Sequence, residues 1–195
     1  MQASPNETNV DVSIDGKTVA SDVAYESTTG YLSIDSGSRH VQIFSTGTTT
    51  NPLLDETISV TGGTSYTYLI SNFSSSLDFP QFVDDNTAPA SGDFKLRIIN
   101  ASPSLGETDV YIVPPGTNIS TVSPNFTNLP FNGASTYFSQ VAGPVEIFFA
   151  FPGTKAITID TGTLNFSANQ IRTLVALDGA SGSSTFTFTT LSDAN

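Results

Sequence analysis

The stretch Ala101-Ser102-Pro103-Ser104-Leu105-Gly106-Glu107-Thr108-Asp109-Val110 repeats the skeleton of Ala3-Ser4-Pro5-Asn6-Glu7-Thr8-Asn9-Val10-Asp11-Val12. The Ala-Ser-Pro run and the Asp-Val pair recur at a spacing of 98 (101 − 3 and 109 − 11). Further along, Tyr31, Gly37, Val60 and Thr67 reappear as Tyr137, Gly143, Phe166 and Thr173, each displaced by 106. One module of about 100 residues is therefore written twice, which predicts two domains with separate cores. The change from 98 to 106 places eight extra residues (106 − 98) between Val110 and Phe131 of the second copy. They fall in Pro114 to Asn128, a Pro-, Thr-, Ser- and Asn-rich run that reads as a long surface loop. Binding functions collect on such loops, and neutral drift also tolerates them because closure entropy grows slowly with length.

Period-two patterning dominates the chain. Val10, Val12 and Ile14 alternate with Asp11 and Ser13, Tyr66, Tyr68 and Ile70 alternate with Thr67 and Leu69, and Phe186 and Phe188 alternate with threonines. Such alternation sets one face on a core and the other in water. No window of helical length carries apolar residues at helical spacing. Asp15-Gly16, Gly62-Gly63, Ser36-Gly37 and Pro114-Pro115-Gly116 mark reversals,. Many short strands between such turns predict an all-β sandwich. In the first unit strands are expected at 8–14, 30–34, 40–45, 53–60, 65–71 and 77–83. In the second they are expected at 94–100, 108–113, 135–140, 145–151, 156–166, 170–177 and 184–191. The polar run Asp84 to Gly92 separates the units, giving a first domain at 1–86 and a second at 92–195. A strong strand, Phe94 to Ile99, precedes the second Ala-Ser-Pro, whereas Met1-Gln2 precedes the first. The expectation is that the first domain lacks its opening strand, and that a longer precursor supplies it together with an export signal.

Composition narrows the function classes. Eighteen acidic against six basic residues give a net charge of −12, which repels nucleic-acid phosphates and anionic lipid. No apolar run reaches membrane-spanning length, so no membrane insertion is expected of this chain. The absence of cysteine removes disulfides, thiol catalysis and thiolate metal sites,.

Both units resemble a known family. In the second, the matching residues are Asp84-Asp85, Ala88-Pro89, Gly92, Arg97 to Pro103 and Asp109-Val110-Tyr111. In the first they are Val10-Asp11-Val12, Asp15-Gly16-Lys17, Val23-Ala24-Tyr25, Gly30-Tyr31-Leu32, Gly37, Val41-Gln42-Ile43 and Thr64 to Thr67. This pattern resembles the bacterial domain-of-unknown-function 4397 family, in two tandem copies. The resemblance implies an exported protein of the cell envelope with immunoglobulin-like or transthyretin-like sandwiches, and it implies no chemistry. The second unit departs from the pattern at Pro114-Pro115-Gly116, where the Asp-Gly hairpin is replaced.

Candidate chemistry is sparse. A serine nucleophile needs a histidine base with its own orienting group, and the one histidine, His40, has Glu146 as its counterpart. The adjacent acidic pairs Asp55-Glu56 and Asp84-Asp85 cannot face one another if they lie on strands,, so no catalytic residue and no enzyme activity is expected. Asp11 and Asp109, beside the repeated Ala-Ser-Pro turns, are expected to accept backbone N–H bonds and lock those turns, with Ser4 and Ser102 assisting. No cofactor is expected, and calcium at Asp84, Asp85 and Asn86 is the candidate metal site because that cation takes hard oxygens. Asn118, Ser120 and Asn125 are the candidate binding residues of the long loop.

The function expected is that of a non-catalytic exported envelope module for adhesion, structure or ligand presentation, secreted, periplasmic or on the cell surface. The alternative is a carbohydrate-binding accessory module of a larger secreted protein. The expected partner is a protein or glycan ligand, with homodimerisation through an exposed edge strand as a further candidate.

Overall fold

A computed structural model describes residues 1–193. The chain divides into two compact units, Met1–Asp84 with Ala180–Gly182, and Asp85–Gly179 with the chain from Ser183 onward. Both are built of strands, and among the described residues no helix is long and apolar enough to cross a membrane.

In the first unit, β1 (Val10–Ile14), β2 (Lys17–Val23), β3 (Gly37–Ser45) and β4 (Leu54–Val60) form an antiparallel sheet of order β2-β1-β3-β4. A second sheet pairs β5 (Ser65–Tyr68) with β6 (Gln81–Asp84). Asp15 and Gly16 both take positive φ, 50° and 78°, as a two-residue hairpin between β1 and β2 requires. Val10, Val23, Val41, Ile43 and Ile70 form the core of this unit.

The second unit repeats this plan with additions. Its first sheet joins β7 (Asp93–Asn100), β10 (Gly133–Ala134), β11 (Phe138–Val141), β14 (Ile171–Gly179) and β15 (Ser183–Ser192), with β7 central. The facing sheet runs β13 (Ile157–Phe166), β12 (Gly143–Ala150), β8 (Thr108–Val113), β9 (Phe126–Leu129). Phe94, Leu96 and Ile98 of β7 and Leu174 of β14 meet Val110, Ile147 and Phe149 across the sandwich. β7 and β14 run parallel, and both are buried along nearly their whole length, the usual condition of parallel strands. The Phe run divides as alternation demands. Phe149 enters this core, Phe148 faces the opposite layer, and Phe151 is 45% exposed at the turn beyond.

Three expectations are corrected. Residues 30–34 form no strand. The corresponding segment of the second unit is extended because β10 and β11 lie against β7, and among the described residues no strand lies beside 30–34. The strands β2 and β9 were not expected. Both are edge strands, β2 with mostly exposed side chains and β9 with only Phe126 and Leu129 turned toward the core, and their registers are broken by bulges, so apolar alternation is weak in each. The run Pro114 to Asn128 is no open loop. It holds a 3-10 turn, Ile119–Thr121, and enters β9 at Phe126.

That run has a packing role. Ile119 is 4% exposed and, with Val122, lies on Tyr111, Val113, Phe148 and Ala150. It gives the outer face of the β8–β12 pair a second apolar layer. Truncating Phe149 to Ala should lower the unfolding free energy of the second unit by about 3–5 kcal/mol, read from the shift in urea midpoint. Ile119→Ala should also destabilise it, by about 2–5 kcal/mol, whereas a purely solvated loop would show no loss.

Candidate functional site

The repeated aspartates make the most developed polar geometry in the chain. Asp11, on the central strand β1, accepts at Oδ1 from Asp22 N (2.8 Å) and Thr46 Oγ1 (3.2 Å), and at Oδ2 from Gly47 N (3.0 Å). Asp109, on β8, accepts at Oδ1 from Asn128 N (2.9 Å) and at Oδ2 from Gly153 N (2.9 Å). Asn128 and Gly153 lie 106 residues after Asp22 and Gly47 (128 − 22 and 153 − 47). All four take positive φ: 55° and 51° at Asp22 and Asn128, 80° and 69° at Gly47 and Gly153. A left-handed bend turns its N–H away from the ladder, and a carboxylate on the neighbouring strand satisfies it. The hydrogen bonds from Asp22 and Gly47 hold the Asp11 carboxyl below the usual carboxylate range,.

Asp11 and Asp109 therefore lock loops as expected, but not the Ala-Ser-Pro turns. Those turns are held by Gln2 Oε1, which accepts from Ser4 N at 2.6 Å, and by Asn100 Oδ1, which accepts from Ser102 N at 3.2 Å. Ser102 Oγ and Ser104 Oγ both donate to the buried Asp178, the latter at 2.7 Å. In the first unit Asn72 stands 106 residues before Asp178, and the Ser4 hydroxyl is buried with no partner among the described residues.

A second repeated cluster joins a tyrosine, a threonine and an aspartate. Tyr31 Oη donates to Asp84 Oδ2 (2.7 Å), and Thr67 Oγ1 donates to Asp84 Oδ1 (2.9 Å). In the second unit Tyr137 Oη donates to Asp193 Oδ2 (2.6 Å) and Thr173 Oγ1 to the same oxygen (2.8 Å). There the threonine also accepts from Arg97 Nε (3.1 Å) and Nη2 (3.0 Å), and the guanidinium lies 4.7 Å from the Tyr137 ring centre. Arg97 is 2% exposed and Asp193 equally so. Burial, then the Asp193 carboxylate, keep the Tyr137 phenol protonated far above its ordinary range,. The sequence carried half of this signal, the 106 displacement of Tyr31 and Thr67. The aspartates escape it because they are displaced by 109 (193 − 84).

Asp84, Asp85, Asn118 and Asn125 are also engaged. Asp84 serves the cluster just described. Asp85 accepts from Thr87 N (3.0 Å) and Thr87 Oγ1 (2.6 Å) and pairs with the buried Lys95 ammonium at 2.9 Å. The Thr87 hydroxyl, then Lys95, lower the Asp85 carboxyl to about 2. The Asn86 side-chain oxygen is buried without a partner among the described residues. Among the described residues no group of three or more His, Cys, Asp or Glu could hold a metal ion. Asn118 Oδ1 caps the 3-10 turn by accepting from Ser120 N (2.9 Å), Asn125 Oδ1 accepts from Ile112 N (2.7 Å), and Ser120 itself is exposed. His40 Nε2 lies 2.6 Å from Asp55 Oδ1, and Gln42 donates to the other oxygen (2.9 Å) on a half-exposed sheet face. Its counterpart Glu146 accepts from Gly116 N (2.7 Å).

Asp109→Ala leaves two bend N–H groups without their acceptor and should cost about 2–4 kcal/mol in chemical denaturation. The Asp11 carboxyl, lower when folded than unfolded, stabilises the first unit above the unfolded carboxylate value near 3.9 and loses that effect as pH falls through the folded value. Asp11→Asn should accordingly flatten the acid limb of the stability curve. Calcium at millimolar concentration should give no saturable heat by calorimetry, because binding would have to displace Lys95 and Thr87 from Asp85.

Three comparisons bear on this geometry. The family model described as Domain of unknown function (DUF4397) matches residues 1–111. No curated protein matches the chain. Among solved structures, a family 26 carbohydrate-binding module, CBMbc from Eubacterium rectale Amy13K in complex with maltoheptaose, is similar over 100% of this chain and 95% of that one. Its sequence identity of 17% and TM-score of 0.30 give that likeness no functional weight. The family match spans more than half of the sequence, and the chain belongs to the DUF4397 family.

Proposed function

We propose that this chain is a tandem pair of DUF4397 domains acting as a non-catalytic module of an exported bacterial protein, in the envelope, the periplasm or the medium. One observation carries the reading. The polar side chains that recur between the units are spent on the protein's own backbone and core. Asp11 and Asp109 each hold two bend N–H groups, and Asp84 and Asp193 each gather a tyrosine and a threonine. A catalytic acid or nucleophile needs a substrate-facing position and a tuned partner, and these carboxylates are engaged by the chain's own donors, with Asp84, Asp109 and Asp193 buried as well.

The tandem arrangement draws support from the same geometry, since acceptor and donors keep their spacings of 98 and 106. Ligand contact falls to surface elements held on rigid supports. Pro114 to Asn128 is such an element, because Ile119 anchors it to the β8–β12 face. The β12–β13 turn is another, with Phe151 and Ile157 exposed by 45% and 47%.

The purified chain should show no turnover on panels of esters and glycosides. Turnover abolished by a single serine or carboxylate change would replace this reading with a hydrolase. On a glycan array the chain should bind no saccharide reproducibly. Binding lost when Pro114 to Asn128 is replaced by a short turn would make it a carbohydrate-binding accessory module.

A further inference from the structure

The outer edge of β15 is unlike the other sheet edges of the chain. Edge strands offer unpaired ladder groups, and proteins guard them with charge, proline, bulges or shortness. β2 carries Lys17 and Asp22, β4 carries Asp55 and Glu56, and β13 carries Asp160. The edge strands β6, β9, β10 and β11 have four residues or fewer. β15 runs for ten residues without charge, proline or glycine, and its register with β14 is unbroken from Ser192 to Phe186. Among the described residues no strand pairs with its other side. The same holds for its counterpart β6, in which Phe82 and Asp84 match Leu191 and Asp193 (191 − 82 and 193 − 84), although 111 residues (195 − 84) follow Asp84. An open outer edge at this place is thus part of the repeated plan. Asp193 N donates to Ile171 O (3.2 Å), which fixes the alternation of the ladder. The main-chain groups of Thr187, Thr189 and Leu191 bond to β14, and those of Phe186, Phe188 and Thr190 point away from it.

We propose that β15 is a dimerisation edge, which takes β15 of a second copy of this chain antiparallel about a two-fold axis at Thr187. Outward ladder groups belong to even-numbered residues, so the two strands must set even-numbered residues opposite one another. An axis at Thr187 does this and sets Phe186 opposite Phe188 of the second copy, on both sides of the axis, with the two Thr187 side chains facing each other between them. An axis at Phe188 would set Phe186 opposite Thr190 instead. Aromatic pairs and threonine pairs are both favourable across strands. Phe186 and Phe188 are half-buried against the core of their own unit, so the pairing extends that core across the axis. Charge selects the same occupant. A chain of net charge −12 repels its own copies over most of its surface, and β15 is the long edge that brings no like charges together. A two-fold contact of this kind is self-complementary and closes at the dimer. This inference is independent of the functional reading above.

The test follows the mass of the full chain by light scattering from micromolar to millimolar concentration. A dimer should form and should tighten with added salt, which screens the like charges of the two copies. Thr187→Lys sets two ammonium groups opposite each other and should weaken the dimer at least about tenfold. Thr190→Pro removes an outward N–H without touching the β14 ladder and should also weaken it, and urea midpoints report whether both variants stay folded. Single cysteines in the otherwise cysteine-free chain read the register. Mild oxidation should link the Thr187→Cys variant across the axis, where facing Cβ atoms come within disulfide range. The Thr189→Cys variant should link far less, because its two sulfurs would lie about 13 Å apart along the strands. Should either Thr187→Lys or Thr190→Pro unfold the unit, the cross-linking decides. A monomer throughout this range, a dimer indifferent to both substitutions, or equal cross-linking at 187 and 189 overturns the proposal. So does slowed amide exchange at Phe186 and Phe188 that arises only when an unrelated polypeptide is added, because the edge then serves a different partner.

Discussion

A carboxylate on the middle strand of a sheet, accepting one backbone N–H from each side, is the constraint on which both units turn. Asp11 and Asp109 stand where β1 and β8 are flanked on both edges. From there each oxygen reaches a different bend: the bulge at Asp22 or Asn128, and the turn at Gly47 or Gly153. A bulge strengthens strand twist but leaves a ladder group unpaired. Supplying its acceptor from the neighbouring strand lets the edge strands β2 and β9 curl without stranding a donor. The short carboxylate is suited to this, since two oxygens on a one-carbon stem cannot wander. Glutamate would carry the extra rotamer freedom that ordering must remove.

The same logic accounts for what was legible in the amino-acid order and what was not. The latch aspartates are visible because each stands eight residues after the alanine of its Ala-Ser-Pro run (11 − 3 and 109 − 101), although the eight-residue insertion lengthens the path from aspartate to both bends in the second unit. The all-β class is visible because alternation at Val10–Ile14 and Phe186–Phe188 is a direct image of a half-buried sheet. β2 escapes because Lys17–Val23 exposes most of its side chains and is held by main-chain bonds and the latch, neither of which alternation reports. The segment 30–34 misleads for the opposite reason. Its Tyr31-Leu32 pair suits a strand, but a strand exists only beside another, and that condition is non-local. The loop candidates Asn118 and Asn125 read as polar surface, while their oxygens accept backbone N–H groups, the ordinary use of asparagine in turns. The run's structural role rests on Ile119, one apolar residue in a polar stretch.

β7 shows how far polar residues can be carried inward when their partners come with them. Apart from Asp93 its residues are buried, so the face opposite Phe94, Leu96 and Ile98 must bury Lys95 and Arg97. An isolated buried cation is costly, and removing one partner of a buried pair costs more than the pair contributes. The structure meets that cost by assembly. Lys95 has Asp85, the Thr87 carbonyl and hydroxyl, and the Tyr137 ring. Arg97 has Thr173, which in turn reaches Asp193, and the same ring. Tyr137 is the shared element, its face toward both cations and its hydroxyl on the anion. An Arg-to-Lys exchange at 97 would keep the charge and lose the planar fork that meets Thr173 with two nitrogens.

The contrast between the units then follows from sheet size. A two-stranded ribbon such as β5–β6 is marginal by itself, and stability needs three strands or packing on another layer. In the second unit the corresponding pair, β14–β15, is reinforced by β7, β10 and β11, and Leu174 and Ala176 are fully buried. In the first unit Tyr66 and Tyr68 are only half-buried, and the ribbon relies on Ile70, on the stacking of Tyr68 on Phe79 at 5.1 Å, and on the Asp84 cluster. Local opening free energies track buried apolar contact and protected backbone bonds. The two units therefore share a latch and the order of one four-stranded sheet, while the β5–β6 sheet has two strands where the sheet of β14 and β15 has five.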